Sequence, residues 1–286
     1  MADDTLDCIY YSPYDRLKLC CTNWRVENAR AVVLVVHGYG EHCKRYKHVA
    51  TYFNQHHIAF VGFDFRGHGL SDGEQGFAPH LNALLDDLEA IVAKVRDDFY
   101  PDIPLILYGH GTGSVIMLSH LVRRPRPGLA CAALVVSTPS MCLNKRPKQR
   151  HLFLARAFSN LAPHFRLPVA GNYRNIYAND PDVVEAYRND PKVHDRWPAS
   201  SIAMYLEVGK MLEKTTVQFP CPTLIQHGTA DKITPLSDVR KWVRDRARGD
   251  VIYKEWVDYF HELHNDLGKE ELFDYIRAWL EQKLHI

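Results

Sequence analysis

The chain of 286 residues carries 35 Lys and Arg against 34 Asp and Glu, a net charge of +1, with 46 % hydrophobic and 24 % charged residues. That balance fits a globular chain of one large domain with an insertion, or two small domains, and offers no basic field for nucleic acid. Seven scattered cysteines, an odd count without paired spacing, exclude a disulfide framework and a zinc pattern and fit a reducing, cytoplasmic setting.

Residues 1–7 are acidic and lack the apolar stretch of a secretory signal, and no apolar run approaches the ~20 residues that span a bilayer. Residues 7–12 and 16–24 read as a hairpin about Pro13-Tyr14-Asp15. The β-branched run at 31–36 suits a strand buried on both faces of a parallel sheet. A helix with Tyr46, Val49, Ala50 and Phe53 facing the core follows, then a strand at 58–63. Residues 79–99 give the cleanest helix: Pro79 suits its first turn, and Leu81, Leu84, Leu85, Leu88, Ile91, Val92 and Val95 form one apolar stripe. Strands are expected at 105–108, 132–137, 222–226 and 251–256, with helices to about 123, near 237–247 and at 269–283. This alternation predicts an α/β fold: a mostly parallel central sheet with helices on both faces and functional loops at the carboxyl ends of the strands. Residues 138–217 break the rhythm with prolines, short helical patterns and no clear strand. They read as a helical cap inserted into a core of residues 1–137 and 218–286.

Three strand ends carry candidate chemistry. After the strand at 105–108, Gly109-His110-Gly111-Thr112-Gly113 matches the nucleophile-elbow pattern G-x-S-x-G everywhere except its centre, where Gly111 stands in the place of the nucleophilic Ser. Glycine takes the strained elbow backbone at little cost but offers no hydroxyl. After 31–36, His37-Gly-Tyr-Gly40 can aim a backbone N–H at a developing oxyanion, and the residue after the nucleophile supplies the second, so Tyr39 and Thr112 are the candidate donors. Late in the chain, Asp231 and then His261 follow the order nucleophile, acid, histidine; His264 is the second choice for the base. His261 and His264 alone do not make a metal site, and no metal or cofactor is expected.

Taken in order, the motifs His37-Gly-x-Gly-Glu-His42 with Arg45-Tyr46, Asp64-x-Arg-Gly-His-Gly-x-Ser71, Leu107-Tyr-Gly-His110, Gln226-His-Gly-x-x-Asp231, His261-Glu-Leu-His264 and Ala178-Asn-Asp-Pro181 span nearly the whole chain. They resemble the α/β-hydrolase superfamily and, within it, the monoacylglycerol lipase, lysophospholipase-like group of serine aminopeptidase S33-type hydrolases. The resemblance implies an α/β-hydrolase fold and cleavage of lipid monoesters, monoacylglycerol to fatty acid and glycerol, through a Ser-His-Asp mechanism. Asp231 and His261 would be its acid and base, Tyr39 and Thr112 its oxyanion donors, and Gly111 its empty nucleophile position. No acyl-enzyme can form at Gly111, and Ser114, one helical turn on, should point away from the oxyanion donors. In the cap, Leu152, Phe153, Leu154, Phe158 and Leu161 line an acyl site or pack the cap onto the core, with peripheral membrane contact one consequence. The basic run at 145–150 reads as a solvated loop or a partner for anionic headgroups. Three readings stand: a lipid-ester hydrolase that has lost its Ser, a natural non-catalytic lipid-binding or receptor-like protein on the same fold, and slow hydrolysis by a water that His261 activates.

Overall fold

A computed structural model describes residues 5–125, 129–141, 161–168 and 178–286. The chain opens with an antiparallel hairpin, β1 (Thr5–Tyr11) and β2 (Lys18–Trp24), in which Cys8 stands opposite Cys21. β3 (Ala31–Val36), α1 (Lys47–Gln55), β4 (Ile58–Phe63), α2 (Leu81–Lys94), β5 (Leu105–His110), α3 (Thr112–Arg123) and β6 (Ala133–Ser137) follow. Next come β7 (Arg166–Pro168), α4 (Pro181–Asn189), β8 (Arg196–Pro198), α5 (Ala199–Lys214) and β9 (Val217–Gln218). The chain closes with β10 (Thr223–Gly228), α6 (Leu236–Arg246), β11 (Ala247–Arg248), β12 (Val251–Trp256) and α7 (Lys269–Leu284).

Eight strands make one sheet in the order β1-β2-β4-β3-β5-β6-β10-β12. β1 and β2 pair antiparallel, as do β2 and β4; the ladders from β4 through to β12 are parallel. The period of two along each strand splits the interior into two cores. On β3, Val32, Leu34 and Val36 join Leu84, Leu88, Val115, Leu118, Val208 and Trp242 of α2, α3, α5 and α6, all buried. Ala31, Val33 and Val35 face the opposite way, onto Val49 and Phe53 of α1 and Phe273 and Ile276 of α7. All six residues of β3 are buried, as a strand covered on both faces requires. The parallel order points β3, β5, β10 and β12 the same way, so the loops after Val36, His110, Gly228 and Trp256 gather at one end of the sheet.

Two expectations change. The helix expected over 79–99 is α-helical from Leu81 to Lys94 and continues as a π turn, Val95–Phe99. Pro79 lies outside it: His80 is the N-cap, its Nδ1 accepting the Ala83 N–H at 3.1 Å. An apolar stripe fixes which face is buried, not the hydrogen-bond spacing, so Val95 stays in the core through the change. The stretch 138–217, read as strandless, contains β7 and β8 paired antiparallel, with three residues each. Alternation cannot show in so short a run. Among the described residues, no helix is long and apolar enough to cross a membrane.

Candidate active site

The elbow forms as its glycines dictate. Gly111 has φ +54° and ψ −117°, a backbone that L side chains rarely adopt. Its N–H donates to the Ser137 carbonyl at 3.0 Å, and its carbonyl accepts the Ser140 N–H at 3.2 Å. A Cβ on Gly113 would overlap the Val36 carbonyl, and one on Gly109 would come within 2.9 Å of Ser114 Cα, so both glycines are needed for α3 to lie against the sheet. Position 111 itself is open: a Cβ there would sit 3.4 Å from His261 Nε2, 3.5 Å from Ser140 Oγ and 3.8 Å from Gly38 Cα. Ser114 is turned away as expected, its Oγ donating to the Gly109 carbonyl at 2.7 Å.

His261 and Asp231, 30 residues apart, meet here. His261 Nδ1 is 2.8 Å from Asp231 Oδ2. Asp231 Oδ1 accepts the N–H groups of Ile233 at 2.7 Å and Thr234 at 3.1 Å, so the loop holds the carboxylate rigidly. Burial alone would neutralise both groups, but their mutual attraction overrides it. The His261 imidazole is pushed above the usual histidine range, with help from Glu262 and Glu41, and the Asp231 carboxyl is held below its own. Such a pair fixes the imidazole tautomer and stabilises the imidazolium. His227 also approaches Asp231, at 3.3 Å. His264 does not: it stacks on Tyr46 at 4.4 Å, and burial among His110, His48 and Arg45 pushes it well below the ordinary histidine range.

Thr112 follows Gly111, and Tyr39 follows Gly38, whose Cα lies 3.8 Å from where a Cβ on Gly111 would sit. Thr112 opens α3, so its N–H is one of the four that no helical carbonyl can take. The Tyr39 ring stacks on Trp197 at 3.6 Å while its hydroxyl donates to the Gly76 carbonyl at 2.7 Å. The loop is fastened further by His37. Its Nε2 accepts the Phe65 N–H at 3.1 Å and its Nδ1 donates to the Gly38 carbonyl at 2.6 Å, a pattern that needs the neutral ring. Burial lowers its pKa to about 3.

Glu41, Arg45 and Glu262, which stand in the sequence motifs, build one charged cluster beside the site. Arg45 bonds Glu262 through both terminal nitrogens, at 2.9 and 2.8 Å, and Glu41 at 2.6 Å. Glu41 Oε1 accepts the Gly38 N–H at 2.5 Å and the Tyr46 hydroxyl at 2.9 Å. Burial opposes the Glu262 charge, yet Arg45 holds its carboxyl down at about 2; burial raises Glu41, the less well compensated partner. This buried cluster links the oxyanion-loop candidate directly to the residue after His261. The signal in the sequence was the pairing of Glu41-His-Cys-Lys-Arg45 with His261-Glu262, two motifs 217 residues apart.

Leu152, Phe153, Leu154, Phe158 and the basic run at 145–150 lie outside the described residues. Leu161, expected to pack or to line the acyl site with them, is 86 % exposed. Among the described residues, no group of three His, Cys, Asp or Glu side chains is placed to hold a metal ion.

An eight-stranded, mostly parallel sheet with an elbow after β5 and a His–Asp pair on the loops after β10 and β12 defines an α/β-hydrolase fold. The chain belongs to the family described as "Serine aminopeptidase, S33", which it matches over residues 27–268. It is 29 % identical over 256 residues to a monoacylglycerol lipase of Mycolicibacterium smegmatis, covering 89 % of each chain. It is 26 % identical over 275 residues to the monoglyceride lipase of Homo sapiens, covering 93 % of this chain and 87 % of that protein. A soluble variant of the Saccharomyces cerevisiae monoglyceride lipase, solved with a substrate analogue, has the same fold: TM-score 0.84, 21 % identity, 99 % of this chain and 97 % of that one covered.

Proposed function

We propose that this chain is a monoacylglycerol lipase-like carboxylic-ester hydrolase site that keeps its acid, base and oxyanion donors and lacks its covalent nucleophile. In the serine mechanism a hydroxyl at the elbow attacks the ester carbonyl while histidine takes its proton; the tetrahedral oxyanion is met by two backbone N–H groups. Here His261 is the base, Asp231 its orienting acid, and the N–H groups of Tyr39 and Thr112 the oxyanion donors. Gly111 holds the nucleophile position, so no acyl-enzyme forms there. The lipid-hydrolase relatives support a lipid monoester as the ligand. The described part of the insertion between β6 and β10, with α4 and α5, is the side from which the acyl chain enters in this reading.

The observation that carries this reading is the 3.4 Å between a side chain's starting point at 111 and His261 Nε2. A Ser rotamer there can bring its Oγ into hydrogen-bond reach of the base, the geometry general-base activation needs. The test is hydrolysis of a long-chain monoacylglycerol by Gly111→Ser, with fluorophosphonate labelling of residue 111. Turnover together with labelling is expected. A folded Gly111→Ser protein that binds lipid without turnover or labelling would replace this reading with that of a lipid-binding protein on the same fold.

A further inference from the structure

We propose that the native chain still hydrolyses its ester, slowly and in one step, using a water held between His261 Nε2 and the hydroxyl of Ser140. The inference rests on the hydrolase reading above and adds a positioning residue and an activity to it. Glycine at 111 leaves the volume of a hydroxymethyl group, and the structure places a base and a hydroxyl beside that volume. His261 Nε2 is 3.4 Å and Ser140 Oγ 3.5 Å from where the Cβ would be. A water seated there has two polar partners, as an ordered site water needs.

Ser140 is held for this placement. It lies three residues past β6, in the loop segment Thr138-Pro139-Ser140. Thr138 takes φ +42°, unusual for a β-branched residue, and is pinned there twice. Its N–H donates to the Gln226 carbonyl at 2.9 Å, and its hydroxyl lies 3.1 Å from His110 Nδ1. The Ser140 N–H then bonds the carbonyl of Gly111 itself at 3.2 Å, tying its backbone to the elbow.

The step balances without any other reagent. His261 Nε2 takes one proton from the water as its oxygen bonds the ester carbonyl carbon, and the oxyanion faces the N–H groups of Tyr39 and Thr112. The tetrahedral species collapses by breaking the bond to the glycerol oxygen, which receives the proton from His261. Fatty acid and glycerol leave, and no bond to the protein has formed. Oxyanion donors and binding alone give roughly 10³–10⁴-fold acceleration over water when a triad member is lost, so the His261-assisted reaction is the part of native turnover above that floor.

The experiment compares monoacylglycerol hydrolysis by the native chain, His261→Ala, Ser140→Ala, Ser140→Thr and Gly111→Ser, with intact mass after fluorophosphonate treatment. Native turnover should fall in His261→Ala to the floor left by the oxyanion donors and binding alone. Ser140→Ala should lose about tenfold in kcat at constant KM, the worth of one hydrogen bond, and Ser140→Thr should restore most of it. The native chain should stay unlabelled while Gly111→Ser gains one adduct. If Gly111→Ser turns over and the native chain is no faster than His261→Ala, the one-step reaction is wrong and the hydrolase reading stands. An adduct on Ser140 of the native chain would make that side chain the nucleophile and overturn the water. If no form turns over, both readings fall.

Discussion

His261 Nε2, on the loop after β12, lies 3.4 Å from where a Cβ on Gly111 of the elbow would sit, but the acid–base loops and the elbow are held by different forces. On the acid–base side the geometry is made by side chains: Asp231 on His261, and Arg45 between Glu41 and Glu262, all buried and dependent on each other's charge. On the elbow side it is made by backbone: Gly111 bonds Ser137 and Ser140 through its peptide groups, and Gly109 and Gly113 let α3 lie against the sheet. Removing a side chain from a backbone-made element leaves its shape intact. Removing one from a charge-made element strands a partner. Loss of the nucleophile can therefore coexist with an otherwise complete site.

The largest effect that sharpens the contrast lies on the charged side. In a Gly111→Ser background, Asp231→Asn should lower kcat about 10⁴-fold, because the imidazole loses its tautomer control, with KM little changed in steady-state assays. Next, Arg45→Met should cost about 3–5 kcal/mol in urea unfolding, since Glu262 and Glu41 would remain buried without their shared cation.

Acid comes third. His37 and His110 are buried with folded pKa values of about 3, and His68 and His264 are also depressed, in each case chiefly by burial. For such groups the unfolded chain binds the proton first, so stability should fall as pH drops below ~6.5, by up to about 1.4 kcal/mol per pH unit for each histidine. His261 has the opposite sign. Its folded pKa is raised, so its contribution is full below ~6.5 and is lost as pH rises through the folded value. Unfolding free energies at pH 7 and pH 5 should show the net loss; equal stability at both would contradict the neutral, buried assignment. The smallest effect is on the elbow: Gly111→Ser should cost only about 1–2 kcal/mol for a side chain at φ +54°, read as a modest drop in Tm.

What the sequence made legible follows the same division. The alternating α/β order, the elbow and the positions of Asp231 and His261 depend on strand periodicity and on glycine spacing, both local, and the structure brings those residues together. Ser114 was turned away by helix geometry alone. The choice of His261 over His264 needed only its place in the chain, but the reason His264 fails, burial against Tyr46 and His110, is tertiary. The Glu41–Arg45–Glu262 cluster and Ser140 escaped because each acts through a partner distant in sequence. The end of α2 escaped because a buried stripe does not report the hydrogen-bond register of its own helix.

The most direct measurement is hydrolysis of a long-chain monoacylglycerol by the native chain and by Gly111→Ser, side by side. Removing a serine nucleophile from such a triad costs up to about 10⁶ in kcat, so restoring one to an otherwise intact site should raise turnover at least about 10³-fold. Equal rates, or none from a folded Gly111→Ser protein, would contradict the claim that only the nucleophile is missing.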